Sequence, residues 1–307
     1  MSKKVLIFGA GGFVGRYLTE ELLTHDYQVF GTDTHAPAGE KKIPFFTADI
    51  LSAEAVNQVF GMVQPDFVVN LAAISSVGQS WGIPDVTMEV NVVGPLHIME
   101  AARHLEAVPK LMFIGSSEEY APSDTAVSET SPLDANNPYG ISKTTQERFA
   151  ALYRERYGMK IACVRPFNHT GIGQRDNFVL PSFCKQAAEI DKTGRPGEMR
   201  VGNLSAKRDF SDVRDIVRAY RMILEADTDK IYNVGSGKAY ALSELVDYIA
   251  GLSETSIDIK VDPDRFRPVD TPLVLCDHSS ITQDLGWKPE HDIHETLQEM
   301  FLHYRNL

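Results

Sequence analysis

The chain has 307 residues, 43% of them hydrophobic, and its 42 acidic and 30 basic residues give a net charge of −12. The length and the apolar content are sufficient for one large domain, or for two closely joined ones, with a complete core. Because a strongly acidic surface repels nucleic acid and anionic lipid, we expect neither of them as a partner.

The cysteines and the apolar runs restrict the class of protein further. Cys163, Cys184 and Cys276 are odd in number and lack the spacing of metal ligands, so we expect reduced thiols and no metal site. The N-terminal apolar run is too short for a signal peptide, and no run approaches the ~20 residues of a membrane span. These features predict a soluble cytoplasmic protein.

The first half of the chain alternates between continuously apolar runs and segments with helical periodicity. Uninterrupted apolar runs are typical of strands that are buried on both faces of a parallel sheet. The predicted strands are 4–9, 27–33, 67–73, 110–117 and 160–167, and the predicted helices are near 13–25, 53–63, 86–106 and 138–157. This order predicts an α/β fold of the Rossmann type with a doubly wound parallel sheet.

After about residue 166 the alternation is less regular. The expected elements there are a helix near 212–226, a strand at 230–237, a helix at 242–254 and a last amphipathic helix near 293–304. We interpret the chain as a dinucleotide-binding Rossmann domain, residues 1–165 with 207–234, and a smaller α/β substrate-binding lobe, residues 166–206 with 235–307. Ligands of doubly wound sheets bind beyond the carboxyl ends of the strands, so the lobe is expected to cover that crevice.

The stretch "GAGGFVG" places Gly9, Gly12 and Gly15 at intervals of three residues, between a predicted strand and a predicted helix. Glycines in such a turn let the backbone approach a pyrophosphate, whose charge is favoured by the helix N-terminus. We therefore predict a dinucleotide site here. A glycine turn that serves only close packing of the helix on the strand is the alternative.

Two aspartates that follow predicted strands bear on the choice of cofactor. Asp33 can accept hydrogen bonds from the ribose hydroxyls and would repel a 2′-phosphate, so NAD(H) is favoured and NADP(H) is the alternative. Asp49 is placed to reach the adenine amino group, with a loop or helix-cap role as the other interpretation.

The stretch "NPYGISK" begins with Asn137 and Pro138, which suit the N-cap and the first position of a helix. Tyr139 and Lys143 then lie four residues apart on one helix face. A neighbouring ammonium stabilises a phenolate, so we expect Lys143 to lower the pKa of Tyr139 and to make it an acid–base group. Ser116, after an earlier strand, could hydrogen-bond the same substrate oxygen.

These features together resemble the extended short-chain dehydrogenases/reductases, the group that modifies nucleotide sugars. The resemblance covers nearly the whole chain and rests on "GAGGFVG", "NLAA", "NVVGP", "GSSEEY", "YGISK", "RPFN", "RDFSDVRDIV" and "RPVD". It implies that Ser116, Tyr139 and Lys143 carry the redox chemistry. It also implies a homodimer in which the helices near 86–106 and 138–157 form a four-helix bundle, although core packing explains their apolar faces equally well.

The resemblance also implies a set of binding residues. On the cofactor side these are Gly9, Gly12, Phe13, Val14, Gly15, Asp33, Asp49, Ile50, Leu71, Ala72, Ala73, Asn91, Tyr139, Lys143 and Phe167. On the side of a nucleotide-sugar substrate they are Ser117, Asn168, Arg175, Val179, Val201, Asn203, Arg208, Arg267 and Asp270. Arginines are expected to meet the pyrophosphate because their planar guanidinium binds it in a bidentate manner.

A narrower similarity favours the reductases of GDP-4-keto-6-deoxy sugars over the related GDP-mannose 4,6-dehydratases. The chain is short for a dehydratase, and "TDTHAP" stands where an Arg-rich NADP-binding stretch is expected. Glu118 corresponds to the dehydratase base, so it either retains a proton-transfer role or, like Glu119, shapes the loop. We expect His169 to be a structural hydrogen-bonding residue.

The alternatives to such a reductase come from the same group and from outside it. They are a 4,6-dehydratase, a 4-epimerase, a reductase of a dTDP- or CDP-linked keto sugar, and a non-catalytic protein that senses NAD(P). Non-catalytic proteins that sense NAD(P) usually lack the tyrosine or the lysine. This chain has both residues.

Overall fold

The computed structural model describes residues 2–36, 42–266 and 271–307. The strands are β1 (Lys4–Phe8), β2 (Gln28–Asp33), β3 (Phe45–Thr47), β4 (Phe67–Asn70), β5 (Lys110–Ile114), β6 (Ile161–Pro166), β7 (Asn168–Thr170), β8 (Gly197–Val201), β9 (Lys207–Asp212), β10 (Ile231–Val234), β11 (Ala239–Ala241), β12 (Ile257–Val261) and β13 (Leu273–Val274). The helices are α1 (Phe13–Leu23), α2 (Ala53–Val63), α3 (Val77–Gly82), α4 (Pro84–Met88), α5 (Gly94–Arg103), α6 (Pro138–Tyr157), α7 (Val179–Thr193), α8 (Val213–Glu225), α9 (Leu242–Gly251), α10 (Ser279–Leu285) and α11 (Ile293–Asn306).

The apolar runs of the first half form the centre of a parallel sheet of seven strands, in the order β10-β6-β5-β4-β1-β2-β3. The strand order reverses between β1 and β4, which is the switch point where doubly wound sheets bind ligands. The register pairs Phe8 with both Thr32 and Asn70, so the carboxyl ends of β1, β2 and β4 lie at one edge. The predicted Rossmann-type fold is therefore confirmed.

Both faces of this sheet are buried, which explains why its strands are continuously apolar. Successive side chains of a strand point to opposite faces. In β1, Val5 and Ile7 pack in the cluster with α1 and α8, whereas Leu6 and Phe8 pack in the cluster with α2 and α5.

The remaining strands form two smaller sheets beside the large one. β9 pairs antiparallel with β11 and parallel with β13 and β7, and β12 pairs with β8. Helices α7, α9 and α11 share a separate core that includes Leu180, Leu245 and Leu297. Within the predicted range 207–234, α8 and β10 pack in the large sheet's layers, whereas β9 belongs to a smaller sheet.

The helix predicted near 86–106 has a different internal structure. It consists of α4, a five-residue π-helical turn at Glu89–Val93, and α5. A π turn adds a residue to the helical repeat, and such turns are frequent near functional sites. A Cβ on Gly94 would lie 2.4 Å from Ile50 Cδ1, so the glycine lets α5 approach the loop after β3 closely.

Helix α6 begins and ends where the sequence predicts. The Asn137 Oδ1 accepts the Gly140 N–H at 2.9 Å, Pro138 occupies the first turn, and Gly158 ends the helix with φ +64°. This cap fixes the start of the helix that carries Tyr139 and Lys143. Among the described residues, no helix is both long and apolar enough to cross a membrane.

Candidate active site

A cavity of about 950 Å³ lies at the carboxyl ends of β1, β2, β4, β5 and β6. Its opposite wall comes from the start of α7 and the end of β8. The cavity therefore occupies the switch point of the sheet and extends to α7 and β8. That is the place where the order of elements predicted a ligand site.

The cavity collects almost all of the predicted site residues that the structure describes. On the proposed cofactor side, it is lined by Gly9, Gly12, Phe13, Val14, Gly15, Asp33, Asp49, Ile50, Leu71, Ala72, Ala73, Tyr139, Lys143 and Phe167. On the proposed substrate and catalytic side, it is lined by Ser116, Ser117, Glu118, Asn168, Arg175, Val179, Val201, Asn203 and Arg208. Their individual roles stay predictions. Arg267 and Asp270 lie outside the described residues.

The glycine turn has a geometry that only glycine satisfies at two positions. Gly9 has φ +79°, and a Cβ there would lie 2.7 Å from the Ala72 backbone nitrogen. A Cβ on Gly15 would lie 2.5 Å from the Gly9 carbonyl oxygen. Gly12 is the N-cap of α1 and offers no side-chain cap, so the first N–H groups of α1 remain available to an anion at the cavity. A dinucleotide pyrophosphate fits these residues.

Asp33 and Asp49 lie at the same end of the cavity. The Asp33 Oδ1 accepts the Thr34 N–H at 2.8 Å, and its Oδ2 would be 3.1 Å from a Cβ on Gly11. The Asp49 Oδ1 accepts the Leu51 N–H at 2.9 Å, as a loop aspartate does. Both carboxylates keep acceptor capacity for a ligand.

Asn91 is not a lining residue, unlike the other predicted cofactor contacts. It is fully buried in the π turn; its Oδ1 accepts the Ile74 N–H at 2.8 Å, and its Nδ2 donates to the Ile74 carbonyl at 3.0 Å and to Ser142 Oγ at 2.9 Å. The side chain is thus fully engaged with protein atoms. Asn91 positions the loop after β4 through these bonds, and its direct contact with a cofactor stays a prediction.

Ser116, Tyr139 and Lys143 meet at one point of the cavity wall. The Ser116 side chain lies close enough to the Tyr139 phenol to lower its pKa. Lys143 is buried, its Nζ donates to the Ile114 carbonyl at 2.8 Å, and the same nitrogen lies 5.8 Å from the centre of the Tyr139 ring. The tertiary fold therefore joins the end of β5 to the first turns of α6, as the motifs predicted.

The expected lowering of the Tyr139 pKa is wrong. Burial raises the pKa of the phenol above its usual value, the carboxylates of Glu118 and Glu119 raise it further, and only the Ser116 hydrogen bond opposes them. Burial lowers the pKa of Lys143 to about 8. Tyr139 is consequently a protonated phenol at neutral pH, ready to donate a proton rather than to accept one.

The buried side chain of Glu119 holds the backbone of Ser116 in position. The Glu119 Oε1 accepts the Ser116 backbone N–H at 2.7 Å, and its Oε2 lies 3.8 Å from Arg165 Nε. Gly115 leaves room for this contact, since a Cβ there would lie 2.4 Å from the same carboxylate oxygen. Burial raises the pKa of Glu119, and the nearby Glu147 raises it further. The positive charge of Arg165 lowers it in part.

The sequence contained a signal for that contact. The spacing from Ser116 to Glu119 is that of a capping box, and the structure forms both of its hydrogen bonds. Glu118, one residue earlier, points differently: its Oε2 accepts the Asn137 Nδ2–H at 2.9 Å and the residue lines the cavity. Glu119 therefore shapes the loop, whereas Glu118 is placed to meet a ligand.

The substrate side of the cavity offers cations and amides. Arg208 is buried and donates to the Lys207 carbonyl at 2.9 Å. His169 bonds the Phe167 carbonyl through Nδ1 at 3.0 Å and stacks on Phe13. Because burial lowers the pKa of His169, its imidazole is neutral, as a structural role requires.

Several lining residues were missed from the sequence. They include Arg16, Gln79, Tyr220 and Arg265. Arg16 directly follows the glycine turn, and Arg265 is two residues from the predicted Arg267, so proximity to motifs could have indicated both. Nothing in the sequence distinguishes Tyr220 from an ordinary core position of α8.

The glycine turn at the switch point and the Tyr139–Lys143 pair on the same cavity place the protein among the NAD(P)-binding oxidoreductases of the short-chain dehydrogenase/reductase type. Residues 6–300 match the family model described as GDP-mannose 4,6 dehydratase. The chain therefore belongs to the GDP-mannose 4,6-dehydratase family, a family of nucleotide-sugar dehydratases and reductases.

Relatives with different activities match the chain almost equally well. GDP-6-deoxy-D-mannose reductase of Pseudomonas aeruginosa is 28% identical over 302 residues, which cover 97% of this chain and 96% of the relative. GDP-mannose 4,6-dehydratase of Vibrio cholerae is also 28% identical, over 98% of this chain and 94% of the relative. The equal identities do not distinguish a reductase from a dehydratase.

Two solved structures show the fold together with a bound cofactor. UDP-glucose 4-epimerase of Thermus thermophilus, in complex with NAD, has a TM-score of 0.88 and 27% identity over 98% of this chain and 99% of its own. RMD from Pseudomonas aeruginosa, in complex with NADPH, has a TM-score of 0.85 and 25% identity over 99% of each chain. The neighbours support a nicotinamide nucleotide as cofactor, in either form.

Proposed function

We propose that the protein reduces the C4 ketone of a nucleotide-linked 4-keto-6-deoxy sugar, converting GDP-4-keto-6-deoxy-D-mannose to GDP-D-rhamnose. The observation that carries the proposal is the position of Tyr139 beside Ser116 on the wall of the cavity, with a phenol whose pKa burial raises. A protonated phenol at this point can supply the proton that reduction of a ketone requires.

The reduced nicotinamide supplies a hydride to C4 when it is bound. As the carbonyl π bond breaks, its electron pair on oxygen takes the phenolic proton of Tyr139, whose O–H bond breaks. Ser116 hydrogen-bonds the same oxygen and orients it. We assign Lys143 to the ribose of the nicotinamide nucleotide, to which its ammonium group can donate a hydrogen bond.

The nucleotide-sugar end is assigned to the wall opposite the glycine turn. Asn168, Arg175 and Arg208 would meet the pyrophosphate, because guanidinium and amide groups are the donors that phosphate oxygens accept. Val179, Val201 and Asn203 lie at the start of α7 and near the end of β8, and we assign them to the base. The names of the two curated relatives favour a GDP sugar.

Stoichiometry tests the proposed reaction. We expect the protein to consume NADH mole for mole when GDP-4-keto-6-deoxy-D-mannose is supplied, and to give lower rates with dTDP- and CDP-linked keto sugars. Release of water from GDP-mannose without net loss of NADH would show a dehydratase, and interconversion of C4 epimers without such loss would show an epimerase. Binding of NADH without turnover of any keto sugar would show a cofactor-sensing protein.

The Glu118→Gln variant is expected to affect a reductase and a dehydratase differently, so its activity distinguishes the two enzymes. Glutamine retains an oxygen that can accept the Asn137 Nδ2–H, so we expect reductase activity to fall by no more than about five-fold. A dehydratase would lose its sugar base, and its rate would fall by about 10²–10⁴. Rates with the keto sugar and with GDP-mannose, measured on the same preparation, distinguish the two outcomes.

We propose NADH as the favoured reductant, with NADPH as the alternative, on the basis of Asp33. In the Asp33→Ser variant we expect NADH to bind about 10-fold more weakly, because a charge-assisted hydrogen bond to the ribose is lost. NADPH should bind more tightly because the repulsion of its 2′-phosphate is removed. Fluorescence titration measures both constants, and Asp49→Ser, which removes a carboxylate from the adenine end, should leave their ratio unchanged.

We propose a homodimer in which the helical segment near 86–106 and α6 of each subunit form a four-helix bundle. Val93, at the end of the π turn, and Ile141 and Leu152 on α6 are exposed apolar side chains that a partner would cover. Light scattering should give the mass of a dimer for the natural protein and for Met62→Glu on α2, and a lower mass for Ile141→Glu. A monomeric natural protein would contradict the proposal.

A further inference from the structure

Helix α8 carries a second tyrosine that reaches the active-site cavity. Tyr220 is only 1% exposed, and its ring packs in the core between α8 and the large sheet. It nevertheless lines the cavity, and its phenol is close enough to that of Tyr139 to interact with it electrostatically. Ile114, at the end of β5, packs against the same core cluster, so we place Tyr220 toward the end of the cavity that holds Tyr139.

The hydroxyl of Tyr220 makes no hydrogen bond with any residue that the structure describes. Because Tyr220 lines the cavity, a hydroxyl without a protein partner there has hydrogen-bonding capacity left for a ligand. The other core tyrosines do have protein partners: Tyr120 donates to Asn233 Oδ1 at 2.6 Å and Tyr232 donates to Asp284 Oδ2 at 2.9 Å. Among these buried phenols, Tyr220 is the one that borders the cavity.

We propose that the Tyr220 hydroxyl is a binding group for the nicotinamide half of the dinucleotide, whose polar carboxamide would supply its missing hydrogen-bond partner. The inference rests on the proposed use of a nicotinamide cofactor but not on the identity of the sugar. A phenol both donates and accepts, so it matches either the oxygen or the nitrogen of a carboxamide. The proximity to Tyr139 selects this half, because the hydride must be delivered beside Tyr139.

Equilibrium binding to the full chain, without any sugar, tests the proposal. For Tyr220→Phe we expect the Kd of NADH to rise about 5- to 10-fold, as the loss of one hydrogen bond to a ligand implies. The Kd of ADP, which lacks the nicotinamide half, should not change. Thermal unfolding should show no loss of stability, since phenylalanine removes an oxygen that had no partner among the described residues.

Tyr232→Phe is the matched control, because Tyr232 is equally buried and its hydroxyl is bonded to Asp284. It should lose thermal stability and bind NADH and ADP as the natural protein does. An unchanged Kd of NADH in Tyr220→Phe would overturn the proposal. Equal weakening of NADH and ADP would overturn it as well, because it would indicate a general change in the cavity. Failure of the natural protein to bind NADH would refute the proposed cofactor and this inference with it.

Discussion

Replacing Tyr139 by phenylalanine should lower kcat by about 10²–10⁴, the contribution of a well-placed general acid. The phenol supplies the proton to the ketone oxygen, and no other protonated side chain is assigned to that oxygen except the weakly acidic Ser116. The rate is measured as oxidation of NADH in the presence of the 4-keto sugar. Binding of NADH and thermal stability should change little, because phenylalanine preserves the ring.

Tyr153→Phe provides a control on the same helix. Tyr153 lies on α6 outside the cavity, and its hydroxyl hydrogen-bonds Glu100. We expect this variant to keep its catalytic rate and to lose about 1 kcal/mol of stability with the hydrogen bond. If Tyr139→Phe retained more than about one tenth of the natural rate, the assignment of Tyr139 as the acid would be wrong.

Replacing Gly15 by alanine should abolish dinucleotide binding in the micromolar range and destabilise the protein by about 1–3 kcal/mol. The added Cβ would lie 2.5 Å from the Gly9 carbonyl oxygen and 2.7 Å from Ala10 Cα, both of which are backbone atoms that cannot rotate away. The turn and α1 must separate, so the N–H groups of α1 no longer converge on one anion. Fluorescence titration with NADH and chemical unfolding measure the two effects.

Gly61→Ala on α2 is the matched control for this substitution. A Cβ on Gly61 has no atom within 4 Å, and the residue is in the last turn of the helix, on its exposed face. Alanine there should raise stability by about 0.5–1 kcal/mol and leave NADH binding unchanged. Equal affinity for NADH in Gly15→Ala and the natural protein would show that the glycine turn does not hold the cofactor.

The order of strands and helices could be predicted from local sequence. A strand that is buried on both faces of a sheet is continuously apolar, and such runs can be recognised in the sequence. The runs at Lys4–Phe8 and Ile161–Pro166 contain hardly any polar residue, since neither face of their strands meets water. The start of α6 could be predicted for a similar reason. Its cap is formed by Asn137 and Pro138 with neighbours only a few residues away.

The π turn and the role of Asn91 could not be predicted in this way. "EVNVVGP" has the composition of an ordinary amphipathic helix, and only the contact of Asn91 with the Ile74 loop gives the extra residue a function. The pairing of β9 with β7, β11 and β13 likewise depends on segments far apart in the chain.

Local sequence was sufficient to predict the individual strands and helices, the glycine turn and the tyrosine–lysine helix, because each of them depends on residues within a few positions of one another. The direction of the Tyr139 pKa shift and the position of Tyr220 on the cavity wall could not be predicted from local sequence. Both depend on the tertiary structure. The pKa of a phenol depends on burial and on charges such as Glu118 and Glu119, which reach it through folding rather than through sequence proximity. A cation one helical turn away was therefore a poor guide to the acid–base state, although it was a good guide to the site.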